Sequence, residues 1–300
     1  MLLWLNAPMT EEFSQHHSIY RAFESLTAEE AIDTARAALL IATITYPLLD
    51  AEYYIAQLDA LAYRVRGVLG LSLHNTHSTL ESTAPLTIID AINTILFEEE
   101  GFHGNTKDYG DPNNSFLNKV LDERVGIPIS LSLLYMEVAK RVGLPIEGVG
   151  LPFHFVVRCV LPTEILYIDP FEHGLLLSEQ DCRERIRRLS RGKITRLPQH
   201  FFEPVKPKQL LVRMLGNLKN AYLDKEDYKK SLIVANCILL LIPDAARELR
   251  DRGTIHLQLQ HYARALHDLK TYLKLEAQAS DRHEIQGRIQ MIQHTISMMN

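Results

Sequence analysis

The chain has 300 residues, 46% hydrophobic and 23% charged, which is enough apolar material for one large core or two moderate ones and too much for a disordered chain. Its net charge of −5, from 37 acidic and 32 basic residues, gives no bulk footprint for nucleic-acid binding. Three cysteines exclude a disulfide scaffold and point to a reducing, cytoplasmic setting.

The opening MLLWLNAPMTEEF lacks a basic segment and its apolar run stops at Asn6, unlike a secretory signal. Thr27 followed by Glu30 forms a Thr-x-x-Glu capping box and predicts a helix through about Ile44, closed by Pro47. That helix contains AALLIATI (37–44). Like ILLLIP (238–243), it is far shorter than the roughly 20 apolar residues of a membrane span. A second helix is expected through DAEYYIAQLDALAYRVRGVL, where Tyr54, Leu58, Leu61, Val65 and Leu69 form one apolar stripe. A third is expected from about Leu86 to Glu98.

Residues 101–114 (GFHGNTKDYGDPNN) have loop composition. The next helix is expected from about Ile129 to Val142, with Leu131, Leu134, Val138 and Val142 on one face and a stop at Gly143-Leu144-Pro145. The period then changes to two. IEGVGL, HFVVRCVL and ILYIDPF read as strands of a small antiparallel sheet, and Ser178 opens a further helix. Residues 196–207, with three prolines, read as a linker.

Beyond it the chain is helical and repetitive. Tyr228 and Tyr262 are 34 residues apart, as are Ser231 and Ala265, and Leu232 and Leu266. A Tyr-x-x-small-Leu step at this period is the tetratricopeptide pattern. It gives two degenerate repeats, about 212–245 and 246–279, with 281–299 as a cap on the apolar end face. Gly253 occupies the small-residue position nine before Tyr262; Lys219 stands at the matching place in the first repeat. The expected class is α+β: a helical N-terminal part and a core with a small antiparallel sheet in residues 1–205, then an all-α repeat domain in 206–300.

His154 begins one predicted strand and Asp169 ends another. Antiparallel pairing would bring them together, either as the base half of a nucleophilic triad or as a structural hydrogen bond at a sheet end. Asp108, Asp111, Asn113, Asn114 and Ser115 crowd the preceding loop without the spacing of a calcium loop, and His103, His154 and His173 lack zinc-ligand spacing. Neither a metal nor a cofactor is expected. The basic run 184–196 reads as a solvated helix face.

GIPISLSLLYMEVAKRVGLP, followed by FHFVV and YIDPF, resembles the transglutaminase-like core of the papain-like cysteine fold. The tract DPNNSFLNKVLDERVGIPISLSLLYMEVAKRVGLPIEGVGLPFHFVVR is similar to a conserved bacterial Sir-B-type branch, in which this core precedes tetratricopeptide repeats. ALLIATITYPLLDAEYYIAQLDALAYRV is similar to the same branch, so the likeness covers most of residues 30–280. The resemblance implies a strand-borne His at His154, an Asp-Pro at Asp169, and a nucleophilic Cys in a Gly-x-Cys seventeen residues before the Pro of Gly-x-Pro. Counting back from Pro145 reaches Pro128, in Gly126-Ile127-Pro128. The nucleophile-equivalent position carries a proline, which suits a first helical turn and has no nucleophilic atom.

One reading is therefore a non-catalytic protein, a pseudoenzyme that engages a protein or peptide partner through its cleft and repeats. It involves no nucleic acid and no membrane, and it leaves the oligomeric state open. The other is a hydrolase or acyl transferase of the same fold, with Ser130 as a replaced nucleophile beside His154 and Asp169. Ser130 lies two residues past Pro128, a rotation of about 200° on a regular helix, so that reading needs an irregular helix start; a capping role is the alternative.

Overall fold

The computed structural model describes residues 11–28, 32–71 and 84–299. Two compact units emerge: Asp33–Met214, and Met1–Ile32 together with Leu215–Asn300. These boundaries differ from 1–205 and 206–300. The first helix, α1 (Glu11–Ala28), belongs with the repeats, because Tyr20 Oη accepts a 3.0 Å hydrogen bond from Asn236 Nδ2.

The 33–214 unit starts with α2 (Thr34–Ala42). Its cap is Asp33, whose side chain accepts from the Arg36 amide, not Thr27; Thr27 falls within α1, and Glu30 lies outside the described residues. Next is α3 (Ala51–Val68), capped by Asp50, with Leu58, Leu61 and Val65 buried as their stripe predicts. The third helix is α4 (Pro85–Asn93), and it loosens into a π-turn over Thr94–Glu99. A two-residue strand β1 (His103–Gly104) then leads through a short helical turn (Pro112–Ser115) to α5 (Leu117–Glu123) and β2 (Val125–Gly126). Strands β1 and β2 pair in parallel.

Helix α6 (Pro128–Val142) carries its proline at the first turn and ends on left-handed Gly143. It is buried over most of its circumference, not along one stripe only: Ser130, Leu131, Ser132, Leu133, Leu134, Tyr135, Val138, Ala139 and Val142 are all inside. Strands β3 (Glu147–Val149), β4 (Val156–Val160), β5 (Ile165–Asp169) and β6 (Leu175–Leu177) form an antiparallel sheet in that order. β6 has no counterpart in the sequence reading; three leucines after a His-Gly turn are too short a run to show period two.

Helix α7 (Glu179–Leu189) is opened by Ser178 in a capping box with Asp181. Segment 196–207 does not behave as a loose linker. Its turn Gln199–Phe202 places Phe202 in the core against Tyr167 and Ile186, Val205 donates to Gly148 O at 2.8 Å, and Pro204 bridges Val149. The prolines there end a sheet edge, where a missing N–H costs nothing.

Helix α8 (Pro207–Asp224) contributes residues to both units. In the repeat unit it is followed by α9 (Tyr228–Leu241), α10 (Ala246–Gln258), α11 (Tyr262–Leu275) and α12 (Arg282–Met299). Tyr228 and Tyr262 open α9 and α11, as the 34-residue period requires. Leu249, Leu269, Tyr272, Ile285 and Ile289 form a core that includes α12. Among the described residues no helix is long and apolar enough to cross a membrane.

Candidate functional site

The antiparallel register pairs Val157 with Ile168, which sets the residues just before β4 against the end of β5. His154 therefore lies beside Asp169, with Nε2 2.6 Å from Asp169 Oδ2. His154 sits two residues ahead of β4, not on it. Its amide donates to Leu151 O at 3.2 Å, and Arg213 Nη2 donates to both Leu151 O and His154 O, each at 2.5 Å. The Arg213 guanidinium also lies over the Phe155 ring, 5.3 Å from its centroid. This turn contains Phe153, which is left-handed (φ 62°) and 68% exposed. A bulky residue in that conformation costs about 1 kcal/mol and marks a turn held by its surroundings.

Asp169 is fully buried and serves three partners. Besides His154, its Oδ2 accepts from Arg185 Nη1 on α7, and its Oδ1 accepts from the Phe171 amide at 3.1 Å. Arg185 comes from the basic run read as a solvated face; here that run sends one guanidinium inward. Nothing in its sequence distinguishes Arg185 from its basic neighbours, so only the packing of α7 on the sheet reveals it.

The site is covered by aromatic residues. Phe171 lies edge-on to the His154 ring at 6.2 Å, and Tyr109 meets Phe171 at 6.3 Å. Phe171 can lie there because position 104 is glycine: a Cβ on Gly104 would fall 2.5 Å from the Phe171 ring. His154 is left only 6% exposed.

Ser130 is completely buried. Its Oγ donates to Asn114 O at 2.6 Å and accepts from the Ile127 amide at 3.1 Å. The hydroxyl closes the first turn of α6 and ties it to the preceding loop; the structure brings His154 and Asp169 into contact, but Ser130 bonds to backbone rather than to the His154 ring. Pro128 is the first residue of α6.

The three cysteines are all buried thiols. Burial raises Cys159 and Cys237, and burial together with the Asp169 charge pushes Cys182 up to about 12. They are protonated at neutral pH, whereas a catalytic cysteine needs a thiolate. The acidic loop satisfies its own backbone. Asn105 Oδ1 accepts from the amides of Lys107 and Asp108, Asn114 Nδ2 donates to Asp108 O, and Asp111 caps the turn that follows. Among the described residues no cluster of three metal-ligating side chains occurs.

Residues 52–216 match the model of the transglutaminase-like superfamily, and residues 218–290 match a tetratricopeptide repeat model. The chain belongs to the transglutaminase-like superfamily. A relative described as a UPF0162 protein, from Xylella fastidiosa (strain Temecula1 / ATCC 700964), is 36% identical over 264 residues, covering 87% of this chain and 90% of its own. A UPF0162 protein from Vibrio cholerae is 30% identical over 186 residues, 62% of this chain and 68% of that one. The mouse F-box only protein 21 is 36% identical over 139 residues, 44% of this chain and 21% of the mouse protein. A transglutaminase-like domain followed by tetratricopeptide repeats is thus the architecture of this superfamily member, as the motifs from Gly126 to Asp169 and the 34-residue period imply.

Proposed function

We propose that this chain is a non-catalytic transglutaminase-like protein that works as a protein- or peptide-interaction module, with Pro128 at the place of the nucleophile. The observation that carries the reading is the start of α6. It offers no thiol, the Ser130 hydroxyl there already uses its proton on Asn114 O and its oxygen on the Ile127 amide, and the buried Ser132 hydroxyl lies 3.5 Å from the Phe155 carbonyl. A serine nucleophile needs an aligned base within hydrogen-bond reach. His154 and Asp169 are then a hydrogen-bonded brace beside the end of β5, not an acid–base relay. Stacked helical repeats supply concave surfaces suited to a peptide or helix, and the repeat region is the part through which we place the partner.

The reading is tested by incubating the purified protein with a capped glutamine peptide and a fluorescent amine, and separately with a peptide amide. Wild type, Ser130→Ala and His154→Ala are all expected to match the buffer rate. Turnover in the wild type that both variants abolish would replace this reading with the Ser130 hydrolase or acyl transferase.

A further inference from the structure

Arg213, on the first half of α8 and within the 33–214 unit, holds the turn before β4 but leaves its own charge unanswered. Its hydrogen bonds leave from Nη2 and end on neutral backbone oxygens, Leu151 O and His154 O. It has no ion-pair partner among the described residues, and Nη1 makes no hydrogen bond among them. Asp169, the buried carboxylate of the neighbouring pair, is already taken by His154, Arg185 and the Phe171 amide. The Tyr109 phenol shares the field of Arg213, but burial raises it above its ordinary value, so it is uncharged at neutral pH. Burial lowers Arg213 from its ordinary value, the sign of a guanidinium that has lost water without gaining a counter-ion.

The free end of this group is open. Arg213 is only partly buried, and its unbonded Nη1 is not enclosed. Gly150, itself partly exposed, lies beside it: a Cβ there would fall 2.8 Å from Nη1. Glycine at that place keeps a side chain out of the space next to the guanidinium. The surroundings are aromatic. Phe153 stands exposed in the turn that Arg213 holds, and Tyr109 is 53% exposed. A left-handed phenylalanine is strained, and this one is exposed rather than packed in the core. Exposed aromatic rings around a partly desolvated arginine have the composition of a polypeptide-binding hot spot.

We propose that this surface receives an aspartate or glutamate side chain of a partner polypeptide, its carboxylate on Arg213 Nη1 and its apolar neighbours on Phe153 and Tyr109. The proposal deepens the interaction-module reading and rests on it. A cationic ligand would be repelled by Arg213, and a neutral one would leave its charge unanswered. A carboxylate supplies the missing counter-ion through a charge-assisted hydrogen bond. A small inorganic anion would make no use of the rings. An internal acidic residue brings flanking side chains on both sides of the carboxylate, whereas a chain end brings them on one side only.

The test follows amide chemical shifts of the full chain during titration with a capped Ala-Leu-Glu-Leu-Ala peptide. Its glutamine counterpart, an Ala-Leu-Ala peptide with a free C-terminus, and inorganic phosphate are titrated alongside. Saturable shifts at Gly150, Phe153 and His154 are expected with the glutamate peptide. Binding should be about tenfold weaker with glutamine, and weaker with the free C-terminus and with phosphate. Arg213→Gln should weaken the glutamate peptide about tenfold and Phe153→Ala about threefold. Phe153 is exposed, so its variant reads the surface even if Arg213→Gln disturbs the turn. Absence of saturation, equal binding of the glutamine peptide, or unchanged affinity in Phe153→Ala would overturn the proposal. So would tighter binding of phosphate, which marks a simple anion site, or of the free C-terminus, which marks a chain-end site. Failure of the interaction-module reading is a separate result, seen as turnover that Ser130→Ala and His154→Ala abolish.

Discussion

Asp169 is the residue on which most of the local order converges. A fully buried carboxylate is stable only when its oxygens are paired, and here His154, Arg185 and the Phe171 amide share them. Asp169→Ala would leave Arg185 with only Glu172, 3.7 Å away, and take the partner from His154. It is expected to cost about 3 kcal/mol in urea unfolding, whereas Phe153→Ala, at an exposed position, should stay within about 0.5 kcal/mol. The His-Asp proximity was readable because two period-two segments flank it and antiparallel pairing fixes which ends meet. Arg185 and the Phe171–Tyr109 cover were not. The first is one arginine among several in a helix, and the second depends on Gly104, whose role appears only when the ring that fills its space is seen.

At the scale of elements, the repeat unit shows how one period can be kept by different chemistry. Gly253 on α10 sits against α11, where a Cβ would lie 2.9 Å from the Leu269 side chain and 3.2 Å from Asp268 Cβ. Asp268 cannot give way easily, because Arg252 holds it in a two-pronged ion pair. Gly253→Ala should therefore destabilise by about 1–2 kcal/mol despite alanine's better helix propensity, checked by thermal unfolding. The first repeat has Lys219 at the matching place, and that lysine is also buried, 2.7 Å from Glu248 and 2.8 Å from Asp251. What the sequence shows as a departure from the repeat is a buried cation with two carboxylates. Lys219→Met would strand Glu248, while Asp251 keeps Arg250 at 2.9 Å, and should cost about 3 kcal/mol.

The junction of α10 and α11 also carries a titration. Burial, with the nearby charges of Arg252, His261 and Arg264, lowers His256 from its ordinary value to about 3, and His261 Nδ1 lies 3.2 Å from its Nδ1. Because the folded value is depressed, the unfolded chain binds the proton more readily from about pH 6.5 down to about 3. Stability from this group is complete above that window and falls as pH drops through it, by at most about 1.4 kcal/mol per pH unit. His256→Gln should flatten the urea midpoint between pH 6.5 and 5. An unchanged slope would mean that other groups set it. The helix starts were less uniformly legible. Ser178 opens α7 as expected, with Asp181 completing a capping box, whereas α2 is capped by Asp33 and Thr27 falls within α1. A four-residue motif cannot choose between neighbouring caps; the packing of the helix does.

For the molecule as a whole, the transglutaminase-like core and the repeats were legible because both depend on ordered motifs spread along the chain. The boundaries between units were not, because α1 joins the repeats from the far end of the sequence and the proline-rich segment 196–207 finishes the sheet. The central claim is that this core keeps its fold and its His-Asp pair without a nucleophile. The measurement that meets it most directly is reaction of the native protein with a fluorophosphonate probe and with iodoacetamide, each modified site mapped by mass spectrometry in wild type and in His154→Ala. The account predicts no fluorophosphonate adduct at Ser130 and slow alkylation of the buried thiols, the same in both proteins. A saturable adduct at Ser130 that disappears in His154→Ala would contradict it.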